Sequence, residues 1–168
     1  VTLLRAGIGK GLEFRYVDQI MQSLMAREQW APLQRLLDEY KTMSGLNDAQ
    51  QSRVLLRRAA LSQHNNDAAG SKAQLQQAVT LDPGNAEALL LLGQLQHKDR
   101  NYAQAELLLQ RATAYPLVAE AASLTLAQVA IDQHDYRKAL RLLRDAHAAY
   151  PNRTDLARNI ETLESLSQ

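Results

Sequence analysis

The sequence contains no cysteine, which excludes disulfides and thiolate metal sites and leaves both an oxidising periplasm and the cytosol open as compartments. Charge of one sign is also missing. With 19 basic against 18 acidic residues the net charge is +1, which gives no support for nucleic acid or an anionic membrane as partner. No run approaches the roughly 18–20 apolar residues that cross a bilayer, so membrane contact is expected only indirectly, through a partner. The chain opens at Val1 with no initiator methionine and no basic-then-apolar leader; a mature form or an excised fragment is expected. Aromatic residues make up only 5%. Leu, Ala and Gln dominate instead, and these lose little side-chain entropy in a helix. At 168 residues, 46% hydrophobic and 22% charged, the composition is that of an ordinary soluble protein with a real core.

Sliding the chain along itself reveals a period. Asn101-Tyr102-Ala103-Gln104-Ala105 matches Asp135-Tyr136-Arg137-Lys138-Ala139, with Tyr102 to Tyr136 and Ala105 to Ala139 each 34 residues apart. Leu109 and Leu143, Ala112 and Ala146, Leu92 and Leu126, and Gly93 and Ala127 keep the same offset. Pro83, Pro116 and Pro151 recur at 33 and 35, and each would stop a helix because proline lacks the N–H and clashes with the preceding turn. A period near 34 signals a stack of helix–turn–helix units.

Gly93, Tyr102, Ala105, Ala112 and the terminal proline of the clearest unit resemble the tetratricopeptide repeat family. The resemblance implies an all-α fold, a right-handed α-solenoid of helix–turn–helix units. Three units are assigned at 52–85, 86–119 and 120–153, followed by a capping helix at 154–168 with Asn152 or Thr154 as candidate caps. Small residues at Gly93, Ala127, Ala105 and Ala139 would let paired helix backbones approach. The 52–85 unit is degenerate: Arg58 stands where an apolar residue is expected and Ser71 where alanine is. Residues 14–51 thread as a further degenerate pair, with Val17, Ile20 and Met21 on one face and Trp30, Leu33, Leu37 and Tyr40 on the next, closed by the loop at Ser44-Gly45-Leu46-Asn47. Trp30 and Tyr40 are expected to fill the seam there. Residues 1–13 read as a remnant of a preceding repeat.

The resemblance further implies that the first helix of each unit lines a concave groove holding a peptide or helix of a partner. Leu56, Leu90 and Leu124, 34 apart, form one row on these helices, and Gln22, Ala60, Gln94 and Gln128 a second. Arg53 opens the same face and His97 lies further along it. Leucines flanked by amides would suit an apolar or amphipathic segment whose backbone the glutamines hydrogen-bond; the alternative is that the leucines pack between helices and the glutamines are solvated. A family subset grips chaperone C-termini with a Lys/Asn/Arg clamp. Of those places only Arg57 keeps a suitable type, so that activity is not expected.

Other signals are weak. Gly7-Ile8-Gly9-Lys10-Gly11 lacks the Ser or Thr after lysine that a phosphate loop needs. His64, His97, His134 and His147 form no i, i+4 pair and have no nearby carboxylate constellation, so no metal is expected, and His134 falls in a turn. No Ser-His-Asp, framed nucleophile or paired-carboxylate pattern occurs. Arg137, Arg141 and Arg144 form a basic stripe that reads as a solvated face. The expectation is a non-catalytic, cofactor-free adaptor for a protein or peptide partner in assembly of a bacterial envelope machine (pilus, secretion or polysaccharide export), with the periplasm favoured over the cytoplasm. The alternatives are a regulatory or substrate-presenting domain of a larger enzyme or outer-membrane protein, and a self-assembling module forming a homo-oligomer.

Overall fold

The computed structural model describes residues 14–41 and 45–166. The expectations for residues 1–13, the Gly7–Gly11 stretch and Ser44 fall outside the described residues. The described chain is helical throughout, with nine helices and no strand: α1 (Phe14–Ala26), α2 (Trp30–Lys41), α3 (Asp48–His64), α4 (Ala68–Leu81), α5 (Ala86–Lys98), α6 (Tyr102–Ala112), α7 (Ala119–Asp132), α8 (Tyr136–Ala149) and α9 (Thr154–Leu166). They fall into two compact units, divided between Asn85 and Ala86. No helix among the described residues is long and apolar enough to cross a membrane.

In the first unit, Val17 and Met21 sit one turn apart on α1, and Leu33, Leu36, Leu37 and Tyr40 form a stripe on α2; all are buried with Val54 and Leu61 of α3. This is the i, i+3/i+4 spacing that presents one helix face to a core, and full burial of each leucine stabilises by about 1.5–3 kcal/mol. Trp30 packs on the same core, stacked on His64 at 4.4 Å, and Tyr40 meets Phe14 edge-on. Burial pushes the Tyr40 phenol above its ordinary pKa, so it stays neutral.

α3 starts at Asp48, four residues upstream of residue 52, because Asn47 and Gln50 form a reciprocal cap. The Asn47 side chain accepts from the Gln50 N–H at 2.9 Å, and the Gln50 side chain accepts from the Asn47 N–H at 3.0 Å, satisfying two donors that the first turn leaves open. The two departures from the repeat pattern at Arg58 and Ser71 resolve differently. Arg58 donates from Nη2 to the Leu37 carbonyl at 2.9 Å, tying α3 to the end of α2. Ser71 is fully buried, its hydroxyl without a hydrogen-bond partner. Ser52 donates to the Ala78 carbonyl and accepts from Asn85 Nδ2, each at 2.8 Å, which pins the start of α3 to the end of α4.

In the second unit, α5 and α6 meet at Gly93. A Cβ on Gly93 would stand 2.8 Å from Leu109 Cγ, inside any real carbon–carbon contact, so only glycine permits this approach. Ala105, Ala112, Ala127 and Ala139 are all buried to within 1%. Leu140, Leu143, Leu156 and Leu163 extend the core into α9. Lys138 of α8 donates to Glu106 of α6 at 2.6 Å, and Gln133 donates to the same carboxylate at 2.6 Å.

The turns between paired helices repeat more closely than the sequence does. Glu28, Asn66, Arg100 and His134 all adopt left-handed backbone, with φ between 55° and 61°. The last three are spaced by 34, and Glu28 precedes Asn66 by 38, four more, as the longer loop before α3 requires. Each following residue donates its N–H five residues back: Gln29 to Leu24, Asp67 to Ser62, Asn101 to Gln96 and Asp135 to Ala130. This is the Schellman closure of a helix C-terminus, which usually carries glycine at the left-handed position. Two of the following residues also open the next helix, Asp67 accepting from the Gly70 N–H and Asp135 from the Lys138 N–H. A left-handed non-glycine residue costs roughly 1–2 kcal/mol. Arg100→Gly is therefore expected to stabilise by about 0.5–1 kcal/mol after glycine's own entropic cost, read as a higher melting temperature; a lower one would count against this turn geometry.

A second expectation concerns pH. The Lys138 hydrogen bond holds the Glu106 carboxyl below its ordinary value of 4.5. A depressed folded pKa contributes stability that is present above the unfolded value and lost as pH falls through the folded one. Stability of the parent against denaturation should fall below about pH 4.5 more steeply than that of Glu106→Gln, and parallel curves would contradict this role.

Candidate protein-binding face

Each residue expected on the binding face can be located within its own unit. In the first unit Gln22 is exposed on α1, and Ala60 is half-buried on α3. Arg53 is exposed, but its guanidinium lies 3.6 Å from Asp18. Leu56 departs from expectation: only 3% of it is exposed, so it belongs to the packing and offers a ligand no apolar surface. Arg57, the one clamp-type residue, is also buried and lies 3.1 Å from the Asp18 carboxylate; its charge is already neutralised.

In the second unit the rows are open. Leu90 and Gln94 on α5 and Leu124 on α7 are half-buried, and Gln128 is exposed. Asp132, at the end of α7, gathers two of the expected residues. His97 Nε2 stands 2.8 Å from Asp132 Oδ2, and Gln128 Nε2 donates to Oδ1 at 2.8 Å. The His97 hydrogen bond holds the Asp132 carboxyl below its ordinary value, with Gln128 adding to the effect. An ionised carboxylate only accepts, so His97 carries its proton on Nε2. One carboxylate does approach a histidine, at His97. Its partner stands 35 residues on, one off the period, and close enough in register to have been found. His134 is exposed in its turn and pairs only with the Tyr136 hydroxyl, at 3.1 Å.

Leu124 and Gln128 also line a cavity of about 380 Å³ against α9, with Ile131, Leu156, Asn159 and Thr162. Its mouth is fixed by Arg153, which donates to Glu120 and, at 2.8 Å, to Asp155. Arg153 holds the Asp155 carboxyl down to about 2, so this exposed pair keeps its charges across the physiological range. These ion pairs lay outside sequence reach, because Glu120 and Arg153 carry no motif and meet only through the packing of α9. The basic stripe is partly spent, since Arg144 pairs with Glu164 of α9 while Arg137 and Arg141 remain exposed. Among the described residues no cluster of His, Asp or Glu could hold a metal ion. What the surface offers is apolar side chains beside amides and a fixed His–Asp pair, a combination suited to gripping a polypeptide.

The family model for the tetratricopeptide repeat matches residues 60–129, a span reaching from the middle of α3 to α7. Residues 60–129 carry tetratricopeptide repeats. Solved structures agree on the fold. MamA is 19% identical with a TM-score of 0.71, over 90% of this chain and 81% of that one. The pilF protein of Pseudomonas aeruginosa is 15% identical with a TM-score of 0.77, over 92% of this chain and 68% of its own. No curated protein sequence matches the chain. Tetratricopeptide repeats are generally non-catalytic protein-interaction modules.

Proposed function

We propose that this chain is a non-catalytic adaptor, and that the first-helix face of its second unit holds a segment of a partner protein. The observation that carries the reading is the cavity of about 380 Å³ beside Leu124 and Gln128, two residues that the 34-residue register singles out. Leu90 and Gln94 stand at the equivalent places on α5 and supply the same apolar knob and amide. An aliphatic residue of the partner would enter between α7 and α9, while Gln94 and Gln128 hydrogen-bond its backbone. His97 and Asp132 present one further donor–acceptor pair. The setting proposed is assembly of a bacterial envelope machine, the fold similarity to pilF over most of the chain being its support. Affinity capture from an envelope fraction, with the parent beside a folded Leu90→Glu/Leu124→Glu variant, tests both parts. A partner held by the parent and lost by the variant supports the face, and its identity gives the pathway. A partner held equally by both removes the site from this face.

A second reading, self-association, is favoured by one observation. Leu107 and Leu117 are 53% and 78% exposed, apolar surface that contact between two copies would cover. Light scattering across concentration distinguishes it, since a mass that stays monomeric excludes it.

A further inference from the structure

The first unit holds a cavity of its own. It measures about 740 Å³ and opens between the end of α2, α3 and α4, within the usual size range of ligand sites. Leu46, Val54, Leu55 and Leu81 give it apolar walls, Gln76 and Gln77 stand exposed along one side, and Arg58 brings the only charge among the described lining residues. No carboxylate is among the described residues that line it.

Two of its lining positions break the repeat. Arg58 stands 34 residues before Leu92 and 68 before Leu126, both of which are only 4% exposed, so it takes the place of a core leucine. Ala73 stands 34 before Leu107 and is three side-chain carbons shorter. Leu55 is left half-buried where its counterpart Leu89 is fully covered. Among the described residues the guanidinium donates to the neutral Leu37 carbonyl, which uses one of its five donors. A half-desolvated cation in an apolar wall is relieved by an anion that arrives with its own apolar surface.

We propose that this cavity binds an aliphatic peptide segment of a partner protein, with one carboxylate of that segment paired to Arg58. The apolar walls take the aliphatic side chains, and the guanidinium takes the carboxylate. The amides of Gln76 and Gln77 meet the peptide backbone; an acyl chain would leave them without partners, and this favours peptide over fatty acid. The site is independent of the first-helix face, so either can fail without the other.

The test uses the full chain and a displayed library of random twelve-residue peptides. Peptides selected on the parent should combine aliphatic residues with Asp or Glu. Their affinity should drop roughly tenfold or more on Arg58→Leu, as expected for loss of a charge-assisted hydrogen bond. They should be excluded by Ala73→Leu, which fills the space, and be unaffected by Leu90→Glu. Both cavity variants install the residue found at the equivalent repeat position, so they should fold at least as well as the parent, which circular dichroism checks. Changing the acidic residue of a selected peptide to its amide should weaken the parent's binding and leave that of Arg58→Leu unchanged. Selected peptides without an acid, equal binding by parent and both variants, displacement of the peptides by dodecanoate at comparable concentration, or no selection at all would each overturn the proposal.

Discussion

Gly93→Leu is expected to destabilise the second unit by about 3 kcal/mol or more, at the upper end of what overpacking costs. The reason is local and geometric. The first side-chain carbon would stand 2.8 Å from Leu109 Cγ and 2.9 Å from its Cδ2, and Leu109 is fully buried, so it has no open space into which to retreat. The remaining three carbons of leucine would then have to displace α6 from α5. Ala105→Leu should act similarly, since Ala105 is also fully buried on α6. Gly93→Ala brings the same first contact but gains about 1 kcal/mol of helix propensity, so its net cost should be much smaller. Arg141→Ala, on an exposed position of α8, should stay within about 0.5 kcal/mol of the parent. Urea denaturation of the four variants checks the series, and equal midpoints for Gly93→Leu and the parent would refute the close approach of α5 and α6.

Removing Asp18 should be the most damaging single change in the first unit. Asp18 and Arg57 are each only 5% exposed and lie 39 residues apart in sequence, yet 3.1 Å apart in the fold. Their pairing fixes α1 against α3. Truncation to alanine leaves the Arg57 guanidinium buried without its carboxylate, which costs about 3–5 kcal/mol in such settings. Arg53, the outer member of the cluster, is half exposed at 3.6 Å, and its truncation should cost no more than about 1 kcal/mol. The buried pair is not thereby a large net source of stability. Replacing both residues together, Asp18→Leu with Arg57→Met, should restore most of the loss, because two desolvation penalties vanish with the attraction. A double-mutant cycle separates the cases. If Asp18→Ala alone is as mild as Arg53→Ala, the pair does not carry the contact between α1 and α3.

What was legible in the chain follows from which interactions are periodic. The spacing of Gly93, Ala105 and Ala139 is fixed by backbone approach, which tolerates few residue types, so it shows directly in the sequence. The left-handed turns are just as periodic in the fold, but Glu28, Asn66, Arg100 and His134 share no chemistry that announces them. There the backbone hydrogen bonds impose the conformation on whichever residue is present. Leu56 looked like Leu90 and Leu124 because all three keep the register, but register fixes direction along a helix and not what covers it. Arg57 matched the clamp pattern in residue type alone; its partner Asp18 is a lone acidic residue on a degenerate helix, with no motif to mark it. Arg58 was visible as a departure from the pattern. Its cavity was not, because that depends on Ala73 and Leu46 arriving from separate elements.

The placement of the partner can be read directly by site-specific photo-crosslinking in the intact complex. A photoreactive side chain at Gln94, on the first-helix face, should crosslink the partner captured by the parent protein, while the same group at Arg141, on the exposed side of α8, should not. Crosslinks from position 141 with none from position 94 would contradict the proposed face and move the interaction to the outer helices.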